Sequence, residues 1–320
     1  MPVEIIDPGL ATSIQDLGRQ GHYNVGIPPS GAVDRYAAIA ANTLVGNGSG
    51  EAVFESPYMG PKLRFTEPSV VAVTGAQAPV FINGAAAPSW ESLQVAAGDV
   101  LSFGIFTGGA RIYIAVAGGL NVPIVLGSRS HYALGAIGGF EGRNLLAGDS
   151  IPIGDSVGTP GRAVPEDMRP LHSREVEVRI VLGLYDFRLS ENGLSALIDN
   201  PWQLTTVADR IGFRYAGNTL DWVPREQPFG AGSDPSNITD APYPVGSIQV
   251  PAGTEPIILH RDSVSGGGYA QVGTVISADM DLVGQSTPGT QTRFRPVSID
   301  EALDARRKYM DRQRKLIKLW

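Results

Sequence analysis

The sequence predicts a mainly β protein of two barrel-like halves with a few helices, and three observations carry that expectation. Short apolar runs recur at Val70–Val73, Arg111–Ala117, Val176–Leu182, Pro256–Leu259 and Gly273–Ala278, and they read as strands. The 40 glycines and 24 prolines are scattered between such runs rather than gathered in one tract, so turns are frequent and the strands suggest closed or nearly closed barrels. A length of 320 residues suits two domains, each with its own core.

Taken in chain order, the first helix is expected from Val33 to Val45. Asp34-Arg35-Tyr36-Ala37-Ala38-Ile39-Ala40-Ala41-Asn42 is rich in alanine with apolar residues at helical spacing, and Gly46-Asn47-Gly48 supplies a stop. The clearest break in composition runs from Gly154 to Arg174, where Thr159-Pro160-Gly161, Pro165-Glu166-Asp167 and Pro170 interrupt any period. It places a linker over 157–174 between an N-terminal subdomain, 1–156, and a C-terminal one, 175–320. A second helix is expected after Pro296, with Ser298 and Glu301 forming a capping box and Leu303, Met310 and Ile317 on its apolar side. Lys308, Lys315 and Lys318 suit the negative end of its dipole. This terminal amphipathic helix reads as packed on the barrel or on a partner.

Charge and composition exclude several functions. A net charge of −7 argues against a nucleic-acid partner held through phosphates. With no cysteine there are no disulfides, thiolate nucleophiles or Cys-ligated zinc. The start, Met1-Pro2-Val3-Glu4-Ile5-Ile6-Asp7, has neither a basic leader nor a signal-like apolar stretch, and no segment approaches the roughly 20 apolar residues of a membrane span; the expected location is the cytoplasm. His22, His131, His172 and His260 lie far apart, without the spacing of a helical metal pair, so no metal is expected. Outside the terminal helix the one lysine is Lys62, in Gly60-Pro61-Lys62-Leu63, which is no Walker A loop. No methionine precedes a lysine, as biotin attachment would require. ATP or biotin, where used, is expected from another polypeptide or an unrelated site.

The residues that can carry chemistry fall in three polar clusters among glycine-rich turns, where a rigid barrel presents binding groups at its rim. The first is Thr12-Ser13-Ile14-Gln15-Asp16-Leu17-Gly18-Arg19 with His22 and Ser30-Gly31-Ala32-Val33-Asp34. Here Asp16 and Asp34 also read as turn and helix-start residues. The second is Gly118-Gly119 with Leu126-Gly127-Ser128-Arg129-Ser130-His131, Gly138-Gly139 and Gly142-Arg143. Glycine admits close approach of backbone N–H groups to an anion, and arginine adds a fork for a carboxylate. Arg143 reads as a structural bridge to Asp149. The third is Asp209-Arg210-Ile211-Gly212, Gly246-Ser247-Ile248-Gln249, Arg261-Asp262 and Gly266-Gly267-Gly268-Tyr269. Its glycines permit a flat ligand to approach, and they equally suit a hairpin tip.

The ordered matches Thr12–Arg19, Ser30-Gly31 with Asp34, Leu44-Val45-Gly46-Asn47, Thr74-Gly75-Ala76, Ala97-Gly98-Asp99, Tyr113–Gly119, Leu126–Arg129, Asp209–Gly212, Gly246–Pro251, Gly267–Tyr269 and Ala278-Asp279 resemble the allophanate hydrolase subunit 2 family. That resemblance implies two cyclophilin-like β-barrel subdomains and kinship with the carboxyltransferase region of biotin-dependent urea carboxylase. It further implies the role of the C component of 5-oxoprolinase, part of a hydrolase and inactive alone. Its partners would be a protein of the allophanate hydrolase subunit 1 type, the B component of 5-oxoprolinase, and a lactam-utilisation protein, the A component, in ATP-dependent opening of 5-oxoproline to glutamate. A carboxyltransferase for urea or another amide, fed by biotin on a separate carrier, is the second implication. A non-catalytic antagonist of a kinase-inhibitor-type subunit is the third. Two departures bear on the substrate: Val264-Ser265-Gly266-Gly267-Gly268-Tyr269-Ala270 stands where the family commonly reads Gln-Thr-Thr-Gly-Gly-Tyr-Pro, and Ser130-His131 stands for Ser-Thr. Because amides are poor acyl acceptors, a positioned donor set must stabilise the developing oxyanion. Arg19, Arg129 and Arg210 are the candidates, with Asp34 or Asp262 as proton acceptor and His22, Ser30, Gly31, Ser128, His131, Gln249, Gly267, Gly268 and Tyr269 contacting the substrate.

Overall fold

A computed structural model describes residues 2–156 and 158–320. Met1 and Val157, which open the expected first subdomain and the expected linker, lie outside the described residues. The chain divides into two compact units. One comprises the residues up to Gln20, Pro29–His172 and Asp311–Trp320; the other comprises Gly21–Pro28 and Ser173–Met310.

In the first unit the strands form two sheets around one core. Six strands run in the spatial order Ser150–Pro152, Pro2–Asp7, Lys62–Phe65, Val100–Phe103, Val80–Ile82, Ala85–Ala87, and five in the order Ser13–Gln15, Val53–Pro57, Gly108–Val116, Ser69–Gln77, Ser92–Val95. Side chains alternate across a strand, and the long central pair uses both faces. Val71, Val73, Ile112, Ile114 and Val116 point into the shared core with Ile5, Phe54, Leu63 and Phe65. The intervening Thr74 and Tyr113 meet helix α1 (Arg35–Val45) instead: Thr74 Oγ1 donates to Ala37 O at 2.7 Å, and Asp34 N donates to the Tyr113 hydroxyl at 2.7 Å. Burial on both faces is why these segments read as unbroken apolar runs. It also accounts for the alanines of α1, every residue of which from Tyr36 to Val45 is buried. The ends of α1 are those the sequence predicts, with Asp34 accepting from Ala37 N at 2.9 Å and Gly46 closing the helix in the left-handed region.

The edge of this unit carries the anticipated Arg143–Asp149 bridge, a two-point contact at 2.7 and 2.8 Å. The Arg143 guanidinium holds the Asp149 carboxyl below the usual range. Its stabilisation is therefore complete above the unfolded carboxylate value of about 4 and disappears as pH falls through the lower folded value. Asp149→Asn is expected to lower the melting temperature at neutral pH by a few degrees. In thermal unfolding followed stepwise to about pH 2 the difference from wild type should vanish.

Seven strands of the second unit close into a barrel in the order Glu175–Leu182, Gln271–Val275, Ser247–Gln249, Ile257–Leu259, Gly212–Ala216, Trp202–Ala208, Gln291–Pro296. The last strand returns to pair in parallel with the first, Val178 opposite Phe294. Every second residue enters the interior, so that Val178 and Ile180, Trp202 and Leu204, and Phe213 and Tyr215 share one buried cluster with Ile248, Ile258 and Phe294. Helix α2 (Glu191–Asp199), not anticipated from the sequence, is started by Ser190, whose Oγ accepts from Gly193 N at 3.0 Å, and seals the barrel by taking the Trp202 indole N–H on Leu197 O at 3.0 Å. Its Gly193 is where a Cβ would lie 2.0 Å from Asp221 O, a close approach that only glycine allows. A short helix α3 (Met280–Gln285) follows the barrel strand at Gln271–Val275, and the terminal helix α4 (Ile299–Ile317) begins at the expected capping box, Ser298 N donating to Glu301 Oε2 at 2.8 Å. Among the described residues the architecture is thus mainly β with four helices, of which the sequence predicts the β class and the helices α1 and α4. Among the described residues no helix is long and apolar enough to cross a membrane.

Candidate functional site

Asp16 organises the polar cluster of the first unit. It leaves the strand Ser13–Gln15 and its carboxylate accepts four hydrogen bonds: from Gly18 N at 2.7 Å, Ser128 Oγ at 2.6 Å, Ser130 Oγ at 2.5 Å and Arg129 N at 2.6 Å. An acceptor so saturated fixes the segment Ser128–Ser130 against the turn after Gln15. Ser130 Oγ in turn accepts from Asp16 N at 2.9 Å, and Ser130 O takes a guanidinium N–H of Arg19, a side chain only 1% exposed. Arg129 Nε donates to Val122 O at 2.9 Å, and the backbone N–H of buried His131 donates to Ile14 O at 2.9 Å. Two sequence-distant stretches, 12–19 and 128–131, are thereby one structure.

The stretch Ser30–Asp34 joins the same cluster through backbone contact. Arg19 N donates to Pro29 O at 2.7 Å and Ala32 N to Asp16 O at 2.8 Å. Gly18 and Gly31 both have positive φ, and a Cβ on Gly31 would sit 2.7 Å from Gly18 N. The two backbones touch there, which is the physical reason for both glycines. Ser30 is held at φ 50°, uncommon for a residue with a side chain, and its wholly buried Oγ has no hydrogen-bond partner among the described residues. Beneath lies a buried charged layer: Val33 N donates to Glu55 Oε2 at 2.8 Å, and Glu55 and Asp34 flank Tyr113 along with Arg111. Desolvation first, and these carboxylates second, push the Tyr113 phenol well above its ordinary value, so it is a neutral hydroxyl at any working pH.

The second unit builds a smaller cluster on the turn Asp209–Gly212. Asp209 Oδ1 accepts from Ile211 N at 2.8 Å and Gly212 N at 3.1 Å, which orients Arg210 to clamp Asp262 at two points, 2.7 and 3.1 Å. Asp262 N returns a bond to Arg210 O at 2.8 Å. Beside it His260 is fully buried against Phe213, ring centroids 5.4 Å apart. Its Nδ1 accepts from Arg261 N at 2.9 Å, so Nε2 carries the proton directed to Met280 O at 3.2 Å.

The candidates therefore separate. Arg19, Ser30, Gly31, Asp34, Ser128, Arg129 and His131 meet in the first unit; Arg210 and Asp262 meet in the second. Gln249 ends a barrel strand, and His22 opens a one-turn 3-10 helix, Tyr23–Val25, whose Tyr23 hydroxyl is 3.5 Å from Ser263 Oγ. Gly267, Gly268 and Tyr269 lie not at a hairpin tip but in a strand, Gly266–Tyr269, paired with Asn237–Pro242. A Cβ on Gly267 would stand 2.9 Å from the Tyr243 ring, and Tyr243 exchanges two hydrogen bonds with Tyr269, at 2.6 and 2.7 Å. Burial pushes the Tyr243 phenol up to about 12. Gly267 makes room for that ring. On sequence alone Asp16 reads as a turn residue, and Glu55 and Arg111 draw no notice; the signal is present in Glu55, an acid in the middle of the buried strand Val53–Pro57.

Known proteins share this sequence over most of its length. The profile described as carboxyltransferase domain, subdomain A and B, aligns with residues 25–296. The urea amidolyase of Saccharomyces cerevisiae is 34% identical over 94% of this chain, which spans only 17% of that protein. The C component of 5-oxoprolinase from Haemophilus influenzae is 31% identical, the alignment covering 98% of each chain. The crystal structure of Kluyveromyces lactis urea carboxylase superimposes with a TM-score of 0.93 at 33% identity, over 98% of this chain and 29% of that one. The chain belongs to the carboxyltransferase domain family, subdomains A and B.

Proposed function

We propose that the chain is the carboxyltransferase-type subunit of a multi-subunit enzyme that opens 5-oxoproline to glutamate with ATP, a hydrolase whose isolated subunit is inactive. The alignment with the Haemophilus influenzae C component carries this reading, because it covers 98% of both proteins. In this reading Arg19 and Arg129 of the first unit, or Arg210 of the second, stabilise the negative charge that develops as the lactam carbonyl is attacked, and the N–H and hydroxyl groups around Ser30, Ser128 and His131 in the first unit hold the substrate. Asp34 or Asp262 is its proton acceptor. Asp34 accepts from Ala37 N and Asp262 from Arg210, and each carboxylate keeps further lone pairs on which to take a proton.

This chain carries neither a Walker A lysine nor a Met-Lys pair for biotin attachment. Lys62 is exposed on a sheet strand opposite Asp7, not in a phosphate-cradling loop, and the remaining lysines follow in α4 and at its end. In this reading ATP is used at the level of the complex formed in the cytoplasm with two partners, a lactam-utilisation protein (the A component) and a protein of the allophanate hydrolase subunit 1 type (the B component). The second reading, a carboxyltransferase for urea fed by biotin on a separate carrier, draws on the fit to the Kluyveromyces lactis urea carboxylase. Glutamate release from 5-oxoproline is the deciding assay, with the chain co-purified with both partners. The expected result is release that needs ATP and all three chains and ignores avidin. Bicarbonate-dependent urea consumption abolished by avidin would favour the second reading. A stable complex with no turnover under either condition would leave a regulatory partner.

A further inference from the structure

Alongside α4 the second unit has an open groove of about 440 Å³ that includes none of the residues discussed so far as candidates. One wall is barrel strand, from Val181-Leu182 and Thr274-Val275; the other is the apolar stripe Ile299, Ala302 and Leu303 on the first turns of the helix. A stripe of that spacing normally seals against its neighbour, yet Ile299 is 66% and Leu303 43% exposed. Two of the lining residues, Ala302 and Gly183, are small, and a Cβ on Gly183 would meet nothing within 4 Å. The size and lining are those of a small-molecule site, mostly apolar with a few polar groups to fix orientation.

Two polar groups answer that description. Arg306, the one charged residue in the lining, is exposed, and its guanidinium makes no ion pair or side-chain hydrogen bond among the described residues. Its neighbour Arg307 is paired with Asp304 instead. Gln271, also in the lining and 2% exposed, gives its Nε2 to Thr274 Oγ1 at 2.6 Å, while its Oε1 has no partner among the described residues. A buried amide oxygen without a donor is a cost that a ligand N–H would relieve. Guanidinium, unmatched acceptor and apolar walls together describe one ligand chemistry.

We propose that this groove binds a small carboxylate with an apolar body and an N–H donor, of which an N-acyl apolar amino acid is the simplest form, with its carboxylate on Arg306 and its N–H on Gln271. Calorimetric titration of the full chain with N-acetylleucine tests it, beside N-acetylleucine amide, which lacks the carboxylate, and 4-methylpentanoate, which lacks the N–H. The expected result is saturable binding of N-acetylleucine, with each analogue about tenfold weaker. Arg306→Gln should bring N-acetylleucine down to the affinity of its amide without changing how the amide binds. Leu303→Trp, which fills the groove, should abolish all three. Absence of saturable binding, equal affinity for acid and amide, or an unchanged affinity in Arg306→Gln would each overturn the proposal.

Discussion

Asp16→Ala should cost the first unit about 3–5 kcal/mol, because it leaves two buried hydroxyls and two backbone N–H groups without their charged acceptor. For a unit of this size that is a fall in melting temperature of roughly 10 °C, measurable by calorimetry. A larger effect is expected on activity, because Ser130 O, which fixes the Arg19 guanidinium, rides on the same carboxylate. Assayed in the complex well below the transition, the variant should lose on the order of a hundredfold in kcat. Asp16→Asn keeps one carbonyl acceptor but turns an NH2 toward groups that are themselves donors, so it should fall between the two. An Asp16→Ala protein with wild-type stability would show that the network is decoration.

Asp262→Ala in the second unit is expected to be nearly as severe, for a different reason. It removes the carboxylate that Arg210, whose side chain is 19% exposed, grips at two points. Breaking a buried pair from one side typically costs about 3–5 kcal/mol, and partial exposure brings this to roughly 2–3. Removing both partners in Asp262→Ala/Arg210→Met should recover much of that loss, so a double-mutant cycle by denaturant unfolding gives a coupling of about 1–2 kcal/mol. Additive losses would mean that the two side chains act independently.

The sequence revealed those features that depend on local pattern. Both long helices were legible because each carries its own start signal, Asp34 and the Ser298/Glu301 box, and the central strands because they are apolar on both faces. Helix α2 was hidden by the glycine within it, Gly193, which is required by the chain segment at Asp221 and not by the helix. The strand Gly266–Tyr269 was hidden likewise, since Gly267 answers to the ring of Tyr243, which exchanges hydrogen bonds with a residue 26 positions further along the chain. The candidate residues were visible by type, but their grouping was not. That Asp16 reaches across 112 to 114 residues to the serines at 128 and 130 is a tertiary fact without a local signature. Arg210 and Asp262 read as residues with separate tasks, yet they form one ion pair.

Because the strand that completes the seven-membered ring is also the last one made, a nascent chain emerging from the ribosome holds Glu175–Leu182 with one flank unsatisfied until Gln291–Pro296 arrives. Over that interval an apolar edge is open to pairing with other chains. Fragments ending before Gln291 should consequently accumulate as aggregates, and a chaperone acting on this protein would find its substrate in the second unit until Gln291–Pro296 is made.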